Sequence, residues 1–403
     1  MHRVAQIISP FWSTFPMVAV LALRRKLLSA AVGLFALGAL AACDASLGSG
    51  PLVNTNRPIP VALLVPKSST TAGTLAQSLE NAARLAASDL QSVQIDLRVY
   101  DTTGSAEGAA LAASQAVGDG ARIIVGPLFG EAAAAAGQAV ASSGVNVLTF
   151  SNNPSIAGGN VFLLGNTFQT SADRLVRYAA AQGKGDIYIV HADDPAENLG
   201  RDAIQRAIVG NGASLAGTSS FPLSQQGVIE EIPNISNGVR ASGASSVFVT
   251  SGTSGALPFL AELLPENGID PETAQFIGLQ RLDIPTSALS LKGLQGAWFA
   301  TPSPDQTARF NARYQAAFGE LPTPVSGLAY DGIAAIGALV AQGNSDALTT
   351  TALTQGAGFA GVYGPFRFFP NGTNERGLAV AQIQNNQVIV VDPAPRSFGG
   401  AGF

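Results

Sequence analysis

The sequence predicts an α/β protein of two similar lobes with parallel sheets, joined by several strands and ending in a C-terminal antiparallel hairpin. Three observations support this prediction. Short continuous apolar segments alternate with amphipathic helical segments, as in parallel sheets covered by helices on both faces. The pattern restarts after Gly183, which indicates a second sheet. From residue 366 onward, strand-like segments separated by turn residues replace the helices.

The first lobe begins with a buried strand at 60–66, where five apolar residues stand between two prolines. Residues 74–91 predict a helix, because Leu75, Leu79 and Leu90 fall on one face and polar residues on the other. The next elements follow the same alternation, with strands at 94–100, 122–126 and 145–150 and helices at 105–118 and 131–143.

The second series has the same character. It predicts strands at 186–191, 246–250, 275–279 and 298–300, and helices near 197–209, 226–241 and 255–265. Helices at 304–318 and 325–341 then lead to antiparallel strands at 366–369, 378–384 and 388–391. We assign 59–172 and 301–345 to lobe 1, 173–300 and 346–392 to lobe 2, and 393–403 to a disordered tail.

The N-terminus has the pattern of a secretory signal. Arg24, Arg25 and Lys26 precede the uncharged run Leu27–Ala42, which at sixteen residues is shorter than the roughly 20 of a spanning helix. The following Leu40-Ala41-Ala42-Cys43 resembles the bacterial lipobox, which implies cleavage after residue 42 and acylation of Cys43. A plain signal peptide is the alternative, and both Met1 and Met17 remain possible starts.

The lipobox interpretation predicts a periplasmic protein held at a membrane by a lipid anchor. Residues 43–58 are rich in Gly, Ser, Asn and Pro and predict a flexible tether. Asp44 resembles an inner-membrane retention signal and weakly favours that membrane over the outer one. Loss of residues 1–42 removes four basic residues and no acidic one, which leaves 18 basic against 27 acidic residues, a net charge of −9.

Composition excludes several functional classes. Only 12% of the 403 residues are charged, and the net charge of −5 provides no basic field for nucleic acid. One Cys and two His cannot form a disulfide framework or a Cys/His zinc site. Neither a phosphate loop, nor a GxGxxG after a predicted strand, nor a GxSxG elbow occurs. We therefore expect a protein that is not an enzyme and holds no cofactor or metal.

Candidate ligand-binding residues lie in the loops that follow the predicted strands, where parallel sheets bind their ligands. These loops are rich in hydroxyl and amide groups, and the candidates are Ser68, Ser69, Leu128, Phe129, Gly130, Ser151, Asn152, Asn153, Asp193, Asp194, Thr253 and Gln280. Ordinary turn and capping roles are the alternative, above all for Asp193 and Asp194. His191 ends a strand without a nucleophile beside it and reads as a hydrogen-bonded structural residue.

The order of these segments resembles the type I periplasmic binding proteins, in the Leu/Ile/Val-binding branch. The resemblance depends on these segments: Ile124-Val-Gly-Pro-Leu128, the strand from Val145 to Ser151, Phe310-Asn-Ala-Arg-Tyr314 with Phe318-Gly319, Ala329-Tyr-Asp-Gly332 and Gly364–Gly372. It implies two Rossmann-like lobes that close on a ligand by hinge bending.

The amino-acid site of that branch matches poorly here. Where relatives place a Ser, a carboxylate-gripping loop, a Tyr and an acidic residue, this chain has Gly130, Ser151–Pro154, Leu199 and Gln280. Loss of the acidic partner of an ammonium group costs roughly 1.5–3 kcal/mol. Asp193 or Asp194 remains able to compensate.

Two functions are compatible with these features. Val147–Asn153 and Val161–Gly165 resemble the penicillin-binding-protein activators, envelope lipoproteins that contact peptidoglycan synthases. Our main hypothesis is therefore a non-enzymatic activator of peptidoglycan synthesis whose partner is such a synthase. The alternative is the solute-binding component of an amino-acid ABC transporter, with a small-molecule ligand and a permease as partners.

Overall fold

The computed structural model describes residues 50–398. The predicted signal peptide, Cys43 and the tether up to residue 49 lie outside the described residues. Among the described residues, no helix has both the length and the apolar character needed to span a membrane.

The first half of the chain forms sheet A, whose five strands are all parallel in the order β2-β1-β3-β4-β5. Its strands are β1 (Ile59–Val65), β2 (Ile95–Asp101), β3 (Ile123–Val125), β4 (Asn146–Thr149) and β5 (Val161–Leu163). Helices α1 (Gly73–Asp89), α2 (Ala106–Gly118) and α3 (Gly130–Val140) connect them. The predicted parallel sheet of the first lobe is confirmed.

The second half forms sheet B, with seven strands in the order β14-β13-β10-β9-β8-β6-β7. Five strands pair in parallel: β6 (Asp186–Ala192), β7 (Ser214–Phe221), β8 (Ser246–Val249), β9 (Gln275–Gly278) and β10 (Trp298–Thr301). Strand β13 (Ala379–Gln384) runs antiparallel to β10, and β14 (Gln387–Asp392) runs antiparallel to β13. The helices are α4 (Phe168–Ala181), α5 (Pro195–Gly210), α6 (Gln225–Ser242) and α7 (Leu257–Glu266). This arrangement confirms the predicted fold class.

Each sheet is buried on both faces, which is why its strands read as continuous apolar runs. In β1, Leu63 packs against α1 on one face while Leu64 packs against α2 and α3 on the other. In sheet B, helices α6 and α7 cover one face and α4 and α5 cover the opposite one. The strand-end loops are thereby held on rigid cores.

The chain passes between the two sheets three times, at residues 164–167, 302–303 and 377–378. After β10, helices α8 (Pro304–Phe318), α9 (Gly327–Val340) and α10 (Thr350–Leu353) and the pair β11 (Phe366–Phe368) and β12 (Asn374–Arg376) follow. Side chains from residues 347–368 pack in the core of sheet A. The predicted lobe boundary at residues 345/346 stays a prediction, but this packing joins 347–368 to the first sheet.

Both ends of the described chain pack against the body. Val53, in the predicted tether, is buried and its N–H donates to Ser345 O at 2.8 Å. In the predicted tail, Phe398 is 7% exposed and lies 4.8 Å from the guanidinium of Arg367. Packing therefore begins before residue 59 and continues past residue 392.

Tyr363 joins two segments of the sheet A core through its phenol group. The O–H donates to Pro324 O at 2.8 Å and the oxygen accepts from Gly327 N–H at 3.1 Å. Burial raises the pKa of Tyr363 to about 12. Because the unfolded phenol ionises near pH 10, this group contributes stability below pH 10 that is lost as the pH rises toward 12.

We predict that Tyr363→Phe lowers the free energy of unfolding by about 1–3 kcal/mol at pH 8, because a buried N–H and a buried carbonyl lose their partner. Urea unfolding at pH 8 and pH 11.5 measures this loss for wild type and variant. The difference between the two proteins should shrink at pH 11.5, where only the wild type has a phenol to ionise at this position. An equal difference in the free energy of unfolding at both pH values would contradict the raised pKa of Tyr363.

Candidate functional site

The loop after β1 is fixed by hydrogen bonds to its own neighbours. Ser68 N–H donates to Asp101 Oδ1 at 3.3 Å, and Ser69 Oγ accepts from Ala72 N–H at 3.2 Å. Burial alone would raise the pKa of Asp101, but hydrogen bonds from Ser68 and from the N–H of Thr103 outweigh it and lower that pKa. An ionised Asp101 thus holds this loop at the carboxyl end of the sheet.

Gly130, Ser151 and Asn153 come together at the start of α3. A Cβ atom placed on Gly130 would lie 3.5 Å from both Ser151 Oγ and Asn153 Nδ2. Phe129 occupies the N-cap position of α3, and no side chain caps the helix. The start of α3 thus has N–H groups without a side-chain cap and lies beside hydroxyl and amide groups, a combination that suits a carboxylate.

The other predicted residues of sheet A lie close to this helix start. Phe129 is 42% exposed, and its ring lies beside Gly104 and Ser69. Leu128 is half-buried and packs against the sheet A core, so it supports the loop rather than facing solvent. Asn152 is exposed between Ser151 and Asn153. The structure thus brings the sheet A candidates to one edge of the sheet.

Of the two predicted aspartates on sheet B, Asp194 has a structural role. Asp194 is the N-cap of α5, where Oδ1 accepts from the N–H groups of Ala196 at 2.8 Å and Glu197 at 3.4 Å. Asp193 is exposed at the same turn. His191 is buried, and its Nδ1 lies 2.8 Å from Ala192 O, in line with the predicted structural role.

Glu197 is an acidic residue that sequence reasoning missed. It is half-buried, and Oε2 accepts from Ala192 N–H at 2.7 Å and from Thr250 Oγ1 at 2.9 Å. Ser251 Oγ donates to the same carboxylate at 2.8 Å. A carboxylate other than Asp193 and Asp194 therefore lies among the strand-end loops of sheet B.

The sequence did contain one signal for Glu197. It stands three residues after the N-cap Asp194, at the spacing of a capping box. A capping Glu folds back onto the N-cap N–H, whereas this one reaches the loop after β8. The Glu197 Oε1 atom lies 3.9 Å from a Cβ placed on Gly255, so it points toward that loop.

Thr253 and Gln280 stabilise the loops in which they lie. Thr253 Oγ1 donates to Ile284 O at 2.5 Å, and Gln280 Nε2 donates to Thr250 O at 3.0 Å. The Gln280 amide oxygen lies beside Gly252. These contacts hold the loops after β8 and β9 together around Glu197.

A cavity of about 1230 Å³ is lined by residues from both sheets, and we call it the hinge-side cavity. Its lining comes from the loop 152–154, from α4 and α5, and from segments 369–378 and 391–398. Of the twelve predicted cleft residues, Asn152 and Asn153 line it, and so does the half-exposed Leu199. The other ten lie on the strand-end loops outside its lining.

Within residues 50–398, no group of three or more His, Cys, Asp or Glu residues is placed to hold a metal ion. The site offers hydrogen-bond donors on sheet A, and on sheet B it offers the carboxylate of Glu197 together with Asp193 and Asp194 at the turn after β6. That combination can bind a small polar molecule with a negative and a positive end.

Comparison with known proteins gives one family match. Residues 58–387 match the model of a family described as periplasmic binding protein. The chain is also 22% identical over 232 residues to an uncharacterized protein of Rickettsia prowazekii, an alignment that covers 56% of this chain and 61% of that relative. The chain therefore spans less than two thirds of that curated relative.

Solved structures share the fold at low sequence identity. A putative branched-chain amino acid ABC transporter protein from Rhodospirillum rubrum has a TM-score of 0.71 and 17% identity, covering 83% of this chain and 100% of that one. A branched-chain amino acid ABC transporter periplasmic ligand-binding protein from Burkholderia xenovorans has a TM-score of 0.66 and 19% identity, covering 85% and 97%. A leucine binding protein from Thermotoga maritima has a TM-score of 0.56 and 14% identity, covering 83% and 98%.

Proposed function

This chain belongs to the periplasmic binding protein family, and from that premise we propose that it is the solute-binding component of an ABC transporter for an amino-acid-like zwitterion. The observation that carries the proposal is the pairing of two features at the strand ends. The uncapped start of α3 lies beside Ser151 and Asn153, and the Glu197 carboxylate lies among the loops of sheet B. A ligand carboxylate would bind the former and an ammonium group the latter.

The relatives favour this function over the activator hypothesis. Structural neighbours from Rhodospirillum rubrum and Thermotoga maritima are named for branched-chain amino acid transport and leucine binding. Contact with a peptidoglycan synthase has no comparable support. A non-catalytic role, a permease partner and an extracytoplasmic location follow from the same proposal.

We also propose that Cys43 anchors the protein to the membrane through acyl chains. The support is the sequence pattern around Cys43, which resembles a lipobox. A tether from Cys43 would keep the binding lobes close to a membrane-embedded permease.

Thermal unfolding of the full chain against a ligand panel tests the proposed function. The panel contains free amino acids, their amides and muropeptide fragments. We expect a saturable rise of several degrees with at least one free amino acid at micromolar concentration, because a ligand that binds only the folded state stabilises it. No rise with any free amino acid, together with saturable binding to a peptidoglycan synthase, would favour the activator instead.

Replacing Glu197 by Gln should weaken binding of the amino acid about ten- to hundredfold. The substitution keeps the shape of the side chain but removes a charge-assisted hydrogen bond of about 1.5–3 kcal/mol. Titration calorimetry with wild type and variant measures the change. Unchanged affinity would exclude Glu197 as the ammonium partner.

A matched control separates binding from stability. Glu231→Gln changes a half-buried carboxylate on α6 whose one hydrogen bond within residues 50–398 comes from its own helix neighbour Asn234. It should leave affinity unchanged. Melting of both variants without ligand shows how much of the Glu197 effect comes from the loops that Glu197 holds together.

A further inference from the structure

Two arginines line the hinge-side cavity without a carboxylate partner. Arg177 on α4 and Arg206 on α5 are both exposed, and within the described residues no carboxylate oxygen lies within 4.0 Å of either guanidinium. The other arginines of the lining are ion-paired: Arg174 with Asp392 at 2.6 Å and Arg376 with Asp331 at 2.8 Å. Glu375, another acid of the lining, pairs with Arg367.

Neutral amides hold these two arginines in place. Arg206 Nε donates to Gln169 Oε1 at 2.8 Å, and Arg177 Nε donates to Asn211 Oδ1 at 3.1 Å. Both amide NH₂ groups donate to Asp173 Oδ1, at 3.0 and 3.3 Å. Asp173 therefore turns both amide oxygens toward the guanidiniums, which are anchored through Nε alone.

This anchoring leaves the outer donors of both guanidiniums for a ligand. Each guanidinium retains two Nη groups, in the fork geometry that suits phosphate and carboxylate oxygens. Asp173 is the single unpaired acid among the described lining residues, and burial raises its pKa. The two guanidinium groups outnumber the one carboxylate, which already accepts two hydrogen bonds. This end of the cavity therefore has a net positive charge.

Unsatisfied polar atoms occur in the adjacent wall. Arg376 has a 3% exposed side chain, and its Nη2 has no hydrogen-bond partner; Asn374 Oδ1 is likewise buried and unpartnered. Both residues line the cavity. Apolar surface is present as well, from Phe168 and Leu199. Unsatisfied buried polar atoms are costly, so this wall of the cavity has a polar character that its own hydrogen bonds do not satisfy.

We propose that the hinge-side cavity, at its end between α4 and α5, is a second binding site that takes an organic phosphate held by Arg177 and Arg206. A dianionic phosphate presents enough acceptor oxygens for two guanidinium forks, whereas a single carboxylate has only two. A volume of about 1230 Å³ exceeds the needs of free phosphate, so the organic part would contact Phe168 and Leu199. Its two arginines belong to α4 and to the later turns of α5, whereas the proposed amino-acid site uses the start of α3 and the Glu197 carboxylate in the first turn of α5.

Titration of the full chain with inorganic phosphate and with glycerol 3-phosphate, at constant ionic strength, tests the proposal. We expect saturable binding that is tighter for glycerol 3-phosphate. The double variant Arg177→Gln/Arg206→Gln should bind about 100-fold more weakly, from roughly tenfold for each lost charge-assisted contact. An affinity within twofold of wild type, or no saturable binding of either probe, would overturn it.

Two controls sharpen the result. Arg309→Gln removes an exposed arginine of α8 that is also anchored through Nε alone, to Asp305 O at 3.3 Å, and it should not change binding. The double variant should keep its melting temperature and its response to the amino acid panel. Phosphate binding that falls equally in Arg309→Gln would overturn the proposal, because it would reflect overall charge.

Vesicles distinguish a lipid headgroup from a soluble phosphate. Binding to vesicles of phosphatidic acid but not phosphatidylcholine, lost in the double variant, would assign the site to a lipid phosphate. Binding of glycerol 3-phosphate without vesicle binding would assign it to a soluble metabolite. Either result supports the phosphate site.

Discussion

Asp331→Ala is expected to lower the free energy of unfolding by about 3–5 kcal/mol, because it leaves a buried guanidinium without its carboxylate. Asp331 and Arg376 have side-chain exposures of 0% and 3%, and Arg376 Nη1 donates to Asp331 Oδ2 at 2.8 Å. Asp331 Oδ1 also accepts from Val362 N–H at 2.7 Å. Urea unfolding of the full chain measures the loss.

The position of this pair explains its importance. Arg376 Nε also donates to Leu164 O at 2.8 Å, so one side chain joins α9 to the crossing segment 164–167, and Arg376 itself directly precedes the segment 377–378. A double-mutant cycle with Asp331→Leu and Arg376→Met isolates the pair. The double variant should be more stable than either single variant, because two apolar side chains leave no unpaired charge. Additive losses would show that the pair is not coupled.

Gly126→Ala should cost about 2–5 kcal/mol. Gly126 has φ +92°, which costs an L-residue about 1–2 kcal/mol, and a Cβ there would lie 2.2 Å from Leu64 O. That oxygen belongs to the backbone of the interior strand β1, which cannot move aside as a flexible side chain would, so overpacking adds about 1–3 kcal/mol. The same loop leads to the start of α3, so ligand affinity should fall as well.

Gly120→Ala is the matched control. Gly120 has φ +98°, but nothing lies within 4 Å of a Cβ placed there. Gly120→Ala should therefore lose only the free energy that a positive φ costs an L-residue, and its ligand binding should stay unchanged. Equal losses at both glycines would mean that the close approach to Leu64 contributes nothing.

The sequence predicts buried elements well because burial leaves a local pattern. Strands β1, β3 and β8 are continuous apolar runs and fall within a few residues of their predicted positions. Strand β7 was missed because it is an edge strand, largely exposed and rich in serine and threonine. Its parallel pairing with β6 is a tertiary contact with no local signal.

The candidate site shows the same difference between local patterns, which the sequence reveals, and long-range contacts, which it does not. Helical and strand patterns predicted which loops lie at the sheet edges, and hence Gly130, Ser151 and Asn153. These local patterns could not predict contacts between segments that are far apart in the sequence. Glu197 bonds residues 53 and 54 positions away, and Arg376 pairs with a residue 45 positions away. No periodicity over a helix or strand connects such residues.

The proposed function depends most on recognition of both ends of a zwitterion, and titration calorimetry of the full chain tests this recognition directly. The amino acid that stabilises the chain most is compared with its amide, which lacks the carboxylate, and with its deaminated acid, which lacks the ammonium group. We predict micromolar binding of the amino acid and at least tenfold weaker binding of both analogues. Equal binding of all three, or no heat from any free amino acid, would contradict the proposed function.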